Sequence, residues 1–125
     1  MMHFLDTNVV VWLYQAELNK FSERTKIILE DSDLLISPLV KLELQYLYEI
    51  GRTKKTADHV CKALYKDIGL QIHNIPLTIL IEKSLTESWT RDPFDRLIVS
   101  HAHVENASLI TKDAKILEHY AKAIW

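Results

Sequence analysis

Short apolar segments separated by helical segments constrain the fold of this chain more than any other feature. Residues 3–5, 34–36 and 108–111 are such segments, and residues 34–36 are continuously apolar between polar neighbours. Runs of this kind are typical of strands that are covered on both faces of a parallel sheet. Because the strands alternate with helices, we predict an α/β protein with a mostly parallel sheet of four to five strands flanked by helices.

The helices are predicted from apolar periodicity and from start and stop signals. The segment 38–50 is the clearest, because Ser37 fits the N-cap, Pro38 fits the first helical position and Gly51 fits the end. Two further strands are predicted at residues 70–75 and 123–125. The other predicted helices are residues 8–15, 22–30, 56–68, 76–87, 93–105 and 113–120.

Length and composition limit the class of protein. A chain of 125 residues fits one domain spanning residues 1–125, and 48% hydrophobic with 26% charged residues is a globular composition. The single cysteine, Cys61, can form neither an intrachain disulfide nor a cysteine-rich zinc site. The longest apolar run, residues 9–14, is far shorter than the ~20 residues that span a bilayer. We therefore expect a cytoplasmic protein without a membrane partner, and the net charge of −2 neither requires nor excludes a nucleic acid.

Two carboxylates directly follow predicted strands. Asp6 comes after residues 3–5, and Asp113 comes just after residues 108–111. In parallel sheets ligands bind beyond the carboxyl ends of the strands, so both side chains are candidates for a site at one rim. Asp is also a preferred helix N-cap, and each residue precedes a predicted helix. Cap and site both remain open for these two residues.

Glu43 lies in the apolar stripe of its predicted helix. Each helical residue turns by ~100°, so Glu43 points about 200° away from the polar face that contains Lys41. A carboxylate that faces the interior needs a partner, a cation or a raised pKa. A buried ion pair is the alternative to a functional role.

A compact acidic motif begins the helix at residues 93–105. Asp92 fits the N-cap position before Pro93, and Asp95 occupies the third helical position, which suits a capping box. Asp95 also shares a side with Ile98 and Val99, so its side chain leans inward. Asp95 can therefore be either a helix-capping residue or a site residue on this evidence.

Convergence of these acids would create a cation site. Asp6, Glu43, Asp95 and Asp113 would repel one another in a small cleft unless a cation were bound. Ligation by oxygen alone favours Mg²⁺ or Mn²⁺ over zinc. Such ions bind phosphate oxygens and lower the pKa of bound water, which is the chemistry of phosphodiester hydrolysis.

The acidic motifs, taken in order, resemble those of the PIN domain family. Asp6-Thr7-Asn8 after a first short strand is similar to the opening of these domains, and Glu43 is similar to their second acid. The stretch 92–97, Asp-Pro-Phe-Asp-Arg-Leu, resembles one common in VapC-type toxins, and residues 111–113 resemble the closing Thr-x-Asp. The resemblance covers residues 3–120.

The resemblance implies a PIN-like fold and a metal-dependent endoribonuclease, the toxin of a type II toxin–antitoxin pair. A metal-activated water would attack phosphorus, and the expected partners are an RNA substrate, a cognate antitoxin and a second copy of the chain. The cofactor is Mg²⁺ or Mn²⁺. Carried over by position, the catalytic and metal-binding residues would be Asp6, Glu43, Asp95 and Asp113, with Asp92 as a fifth acid that binds directly or through water. Thr7, Asn8 and Thr111 would orient carboxylates and water.

One departure from the family and four candidate RNA contacts accompany these assignments. Many relatives carry a hydroxyl residue three positions before the helical glutamate, where this chain has Val40.

Candidate contacts to RNA phosphate are Arg91 and Arg96, which flank the acidic motif, and Lys54 and Lys55 in a basic segment. A solvated helix face, or pairing of Arg96 with a carboxylate, is the alternative.

Two rival functions stay open from the sequence. One is a PIN domain that binds RNA or a partner without cutting. The other is a receiver-type signalling domain, which would need paired acids after the first strand and a phosphoacceptor aspartate after the third; residues 70–75 offer none. No histidine pair suits an acid–base route, because His101 and His103 are two residues apart on a predicted helix and point to different sides.

Overall fold

The computed structural model describes residues 2–30 and 32–125 and is built around a parallel β-sheet. The strands are β1 Met2–Leu5, β2 Asp33–Ile36, β3 Gln71–Ile72, β4 Ser108–Ile110 and β5 Ala123–Ile124. They lie in the order β3-β2-β1-β4-β5, and every neighbouring pair of strands is parallel. This architecture confirms the predicted α/β class.

Helices connect the strands and cover the sheet. Each predicted helix is present in the described residues, and no end differs from its predicted position by more than three residues. A short 3₁₀ helix at Leu18–Lys20 follows the first of them. The helices are α1 Thr7–Tyr14, α2 Glu23–Glu30, α3 Pro38–Glu49, α4 Ala57–Ile68, α5 Leu77–Ser84, α6 Pro93–Val104 and α7 Ala114–His119.

Strand β1 lies at the centre of the sheet and of the core. Phe4 pairs with Leu35 of β2 on one side and with Leu109 of β4 on the other. Phe4 and Leu5 point to opposite faces of the sheet and are both almost completely buried. Burial on both faces explains why the strand segments carry continuous apolar runs rather than alternating ones.

Local signals set the ends of α3 and α4. The Ser37 hydroxyl accepts a hydrogen bond from the Leu39 N–H at 3.2 Å, and Pro38 occupies the first turn. The Thr56 hydroxyl accepts from the His59 N–H in the same way and caps α4. Gly69 ends α4 with a φ of +73°, a left-handed conformation that glycine adopts without a Cβ penalty.

Strand β3 is shorter than predicted, and so is α5. The predicted strand 70–75 reduces to Gln71–Ile72, because β2 ends at Ile36 and its chain turns into α3. The His73 N–H still donates to the Ile36 carbonyl at 2.9 Å, but no further strand residues are available as partners. Helix α5 ends at Ser84 rather than at residue 87, because the chain tightens there: the Thr86 and Glu87 N–H groups donate to carbonyls only three residues back, each at 3.1 Å.

The sheet topology places three helix starts at one rim. Helices α1, α3 and α7 follow β1, β2 and β4 within one to four residues. Because these strands are parallel and adjacent, the residues that leave them lie along the same edge of the sheet. Within residues 2–30 and 32–125, no helix combines the length and the apolar character needed to cross a bilayer.

Candidate functional site

Asp6 is the most buried acid at this rim. It leaves β1 directly, caps α1 and is 7% exposed. Its Oδ1 accepts from the Thr7 N–H at 2.8 Å, and its Oδ2 accepts from the Thr111 hydroxyl at 2.7 Å. Burial raises the pKa of this carboxyl, against the effect of the two hydrogen bonds.

Glu43 is half-buried in the middle of α3 and faces Asp6. The Thr7 hydroxyl donates to its Oε1 at 2.5 Å, so one residue contacts two of the acids. Val40, which stands where many relatives carry a hydroxyl, is completely buried in the core. Thr7 of α1 thus supplies the hydroxyl contact to Glu43. Burial raises the Glu43 pKa, with further contributions from the charges of Asp6 and Asp92.

Asp92 and Asp113 both cap helices. Asp92 Oδ1 accepts from the Phe94 and Asp95 N–H groups at 2.9 and 3.2 Å. Asp113 Oδ1 accepts from two N–H groups at the start of α7, at 2.9 and 3.0 Å. Each carboxylate keeps its Oδ2 without a hydrogen bond among the described residues. A role as a cap therefore leaves a coordinating oxygen available at each residue.

The negative charges of all four other acids act on Asp95. Its carboxyl is half-buried in the first turn of α6 and accepts no hydrogen bond within the described part of the chain. Burial, followed by the charges of the other acids, raises its pKa to about 7. These charges come from Asp92, Asp6, Asp113 and Glu43. We call the five residues Asp6, Glu43, Asp92, Asp95 and Asp113 the acidic cleft.

The acids of the acidic cleft are not paired with a side-chain cation in the part of the chain that the structure describes. No lysine, arginine or histidine of the described residues forms an ion pair with any of its five acids. Within the same residues, no three of these carboxylates place oxygen atoms within 4.8 Å of one another. Ions that typically keep several water ligands, such as Mg²⁺, take only one or two carboxylates directly and do not need three in one close group.

A small cavity opens beside the cleft. It has a volume of about 150 Å³ and is lined by Asp6, Asn8, Trp12, Lys112 and Asp113. Asn8 is exposed there, and its side chain makes no hydrogen bond among the described residues. The third polar residue predicted to orient the acids, Thr111, is completely buried and bridges two of them: its hydroxyl donates to Asp6 and accepts from the Asp113 N–H at 3.0 Å.

Two of the four candidate RNA contacts line one cavity. Lys54 and Lys55 line a cavity of about 380 Å³ with Tyr14 and Arg52, and Arg91 and Arg96 are not among its lining residues. Arg91 donates from Nη1 to the Ser88 carbonyl at 2.7 Å. Arg96 is half-buried and donates from Nε to the Ser84 carbonyl at 2.8 Å, which ties α6 to the end of α5.

One group of potential metal ligands lies outside the sequence-based assignments. His73, His101 and Glu105 place ligand atoms within 4.8 Å of one another. His101 and His103 point to different sides of α6 as expected, since His101 is buried and His103 contacts Glu87 at 2.9 Å. The one feature of the sequence that indicates this group is the spacing of four residues between His101 and Glu105, which puts both side chains on one helix face. The participation of His73 is a tertiary feature.

Comparison with known proteins gives the family. The PIN domain family model matches residues 3–123, nearly the whole chain. The chain belongs to the PIN domain family, which removes the receiver-domain alternative. A curated relative, Ribonuclease VapC2 of Rickettsia felis, is 24% identical over 119 residues, covering 92% of this chain and 89% of that protein.

Solved structures share the fold. The structure of VapBC2 from Rickettsia felis bound to a DNA fragment from its promoter contains a chain that matches with a TM-score of 0.71 at 22% identity. That match covers 99% of this chain and 96% of the other. A chain of VapBC-1 from nontypeable Haemophilus influenzae matches with a TM-score of 0.66 at 20% identity, covering 100% and 96%.

Proposed function

We propose that this chain is a metal-dependent endoribonuclease and the toxin of a VapBC-type toxin–antitoxin pair. The observation that carries the proposal is the environment of Asp95, a half-buried carboxyl near the charges of four other acids and with no ion-pair partner among the described residues. Membership of the PIN domain family and similarity to a protein named Ribonuclease VapC2 support the choice of RNA as substrate.

The proposed metal ligands are Asp6, Glu43, Asp95 and Asp113, with Asp92 binding directly or through water. The all-oxygen donor set suits Mg²⁺ or Mn²⁺. When bound, such an ion supplies a water of lowered pKa and neutralises phosphate charge, which is the chemistry of phosphodiester hydrolysis. Positive charge in the cleft would also favour ionised acids and reverse the rise in the Asp95 pKa.

Thr7 and Thr111 are proposed to hold two of these carboxylates in place. Thr7 fixes Oε1 of Glu43, and Thr111 fixes Oδ2 of Asp6. Both residues are buried, so their hydroxyls are directed at the acids rather than at solvent. Asn8, which is exposed beside Asp6, is proposed to orient water or substrate.

The proposed RNA path uses exposed cations. Lys54 and Lys55 are exposed on the rim of the larger cavity, where their ammonium groups can follow a phosphate backbone. Arg91 is exposed and adjacent to Asp92 at the start of α6. Arg96, with its Nε donating to Ser84, is proposed to contact phosphate only through its terminal amino groups. Cellular RNA as substrate would place the activity in the cytoplasm.

An antitoxin and a second copy of this chain are the proposed protein partners. Leu77, Ile81 and Leu85 follow one another at four-residue spacing along α5 and its cap, and they are 63%, 40% and 62% exposed. A row of large exposed apolar side chains of this kind favours a protein interface. We assign this row of side chains to the homodimer interface and the acidic cleft to antitoxin binding. The antitoxin would inhibit cleavage by inserting a basic side chain among the acids.

The decisive experiment measures RNA cleavage by the purified chain, freed of any partner. Total cellular RNA is incubated with Mg²⁺ or Mn²⁺, with a chelator, and with the Asp95→Asn variant. Asp67→Asn, at an exposed aspartate of α4, is the matched control. We expect discrete products that need both the metal and Asp95. Because water rather than the RNA 2′-hydroxyl is the nucleophile, these products lack 2′,3′-cyclic phosphate ends.

Four outcomes would contradict the proposal or one part of it. Cleavage that persists in chelator would contradict the proposed metal dependence. Products with cyclic phosphate ends would contradict the proposal that water is the nucleophile. Absence of cleavage by a folded protein that binds metal would favour a PIN module that binds RNA or a partner without cutting it. For the antitoxin, binding to the Asp95→Asn protein without suppression of cleavage by the unmodified protein would contradict inhibition at the cleft.

A further inference from the structure

Two histidines from distant parts of the chain meet beneath helix α6. Nδ1 of His73, the residue after β3, lies 3.1 Å from Nε2 of His101 on α6. The two rings pack against Phe4 of the central strand, with centroid distances of 5.5 and 4.8 Å. The backbone N–H of His73 is fixed by the Ile36 carbonyl at the end of β2. The sheet and the helix thus hold both rings in place.

Glu105 completes a set of three ligands. It caps the C-terminus of α6, one turn after His101, and its carboxylate lies within 4.8 Å of the ligand nitrogens of both histidines. Spacing by four residues places two side chains on one face of a helix, which is also how paired ligands in helical zinc sites are arranged. Within the described residues this is the one group of three such ligands.

The burial of His101 is hard to explain by packing alone. Its side chain is completely buried, and its Nδ1 has no hydrogen-bond partner among the described residues. The ring therefore makes one polar contact, and this contact is to a second metal-ligating side chain. Burial lowers the His101 pKa to about 4, which keeps the imidazole neutral, as a metal ligand has to be.

The distances match the ligand spacing of a tetrahedral ion. Two nitrogens that each lie about 2.0–2.1 Å from a tetrahedral zinc are about 3.3–3.4 Å apart. The separation of 3.1 Å in this structure needs to open by only a few tenths of an ångström. His73 and Glu105 are half-buried rather than enclosed, so an ion can reach the pair from solvent.

We propose that His73, His101 and Glu105 form a metal site separate from the acidic cleft, and that it takes a transition-metal ion of the zinc type. Two imidazoles with one carboxylate favour Zn²⁺ over Mg²⁺, because nitrogen ligands suit borderline ions and oxygen ligands suit hard ones. Three protein ligands leave a fourth position for water. The ion links the C-terminal end of α6 to the end of β3.

The test titrates metal-free, tag-free protein with Co²⁺, which reports tetrahedral nitrogen ligation by visible absorption, and then with Zn²⁺. Excess Mg²⁺ is present throughout to occupy the acidic cleft. We expect one equivalent of Co²⁺ to bind, and Zn²⁺ to displace it. His73→Asn and Glu105→Gln are each expected to weaken binding at least about 100-fold, beyond the 10–100-fold typical of residues that only support ligands.

Matched controls separate this site from scattered surface ligands. His59→Asn and Glu82→Gln change exposed residues outside the group and are expected to keep the Co²⁺ spectrum. Zn²⁺ is also expected to raise the unfolding midpoint of the unmodified protein but not that of His73→Asn. Should His73→Asn fail to fold, Glu105→Gln carries the comparison, since its side chain lies at the end of α6. The proposal is overturned if the unmodified protein binds no Co²⁺ saturably, or if the control and ligand variants lose binding equally.

Discussion

The Thr111 hydroxyl donates to Oδ2 of Asp6 at 2.7 Å, across 105 residues of sequence. Oγ1 of Thr111 also accepts from the Asp113 N–H at 3.0 Å, so one buried side chain joins the acids that leave two neighbouring strands. This relationship follows from the parallel pairing of β1 with β4, which sets Leu5 beside Ile110. Thr111 therefore couples the stability of the sheet rim to the geometry of the proposed metal ligands.

Replacing Thr111 by valine is expected to lower the free energy of unfolding by about 1–3 kcal/mol. The variant keeps the shape of the side chain but leaves a buried oxygen of Asp6 and the Asp113 N–H without their partner. Thr111→Ser keeps the hydroxyl, so its free energy of unfolding should fall by less than that of Thr111→Val. Urea unfolding measures the difference, with the exposed Thr78→Val as a control that stays within about 0.5 kcal/mol of the unmodified protein. Equal stability of Thr111→Val and the unmodified protein would contradict this role.

The contribution of Asp95 to the stability of the metal-free protein is expected to fall as the pH rises from about 4 to about 7. The pKa of Asp95 is about 7 in the folded protein against 3.8 as its ordinary value, so the folded state binds the extra proton in this range. Solvent screening of this half-buried group reduces the contribution to about 1–2 kcal/mol. The contribution is complete below pH 4 and is lost above pH 7.

The measurement compares chelator-treated unmodified protein with Asp95→Asn across the range. His101 acts in the opposite direction between about pH 4 and 6.5, because burial lowers its folded pKa to about 4 from 6.5. The difference between the two proteins isolates Asp95, since His101 is common to both. A pH-independent difference would show that Asp95 ionises normally in the folded chain.

Asp95→Asn is expected to separate stability from activity. Removing a repelled carboxylate should stabilise the metal-free protein at pH 8 by about 1–2 kcal/mol, because the variant no longer carries an ionised group there. The same change removes a proposed ligand and should lower metal-dependent RNA cleavage at least about 100-fold. Thermal unfolding and cleavage of a labelled RNA are measured on one preparation. A variant that is both less stable and inactive would instead indicate a structural role.

Thr7→Val is expected to weaken Mg²⁺ or Mn²⁺ binding about 10–100-fold with little change in fold. The threonine hydroxyl fixes Oε1 of Glu43 and lowers its pKa, so its loss favours the protonated carboxyl and leaves it free to turn. Calorimetric titration with Mn²⁺ gives the affinity, and Thr78→Val again serves as the matched control. Raising the pH should restore part of the lost affinity, since it deprotonates Glu43. Affinity that stays unchanged in Thr7→Val would show that Glu43 is held by other contacts.

Much of the fold could be predicted because the signals are local. The caps at Ser37 and Thr56 act within three residues, and Gly69 ends α4 through its own backbone. The short apolar runs indicate buried strands, and parallel strands bring their carboxyl ends to one rim whatever the loops between them do. The order of elements and the rim location of Asp6 and Asp113 were therefore predictable. The sequence could not decide between a cap and a site residue at Asp113, because one carboxylate has oxygens enough for both.

Tertiary packing decided what depends on distances between separate elements. Periodicity places Glu43 on the inner side of α3 but does not say that Thr7 of α1, rather than residue 40, supplies its hydroxyl contact. The end of β3 depended on where β2 turns into α3, which lies more than thirty residues earlier. The meeting of His73 with His101 depended on the packing of α6 over the sheet. The elements and their order rest on contacts within a few residues and could therefore be read from the sequence. Which side chains meet across elements depends on how whole elements pack, and only the folded chain shows this.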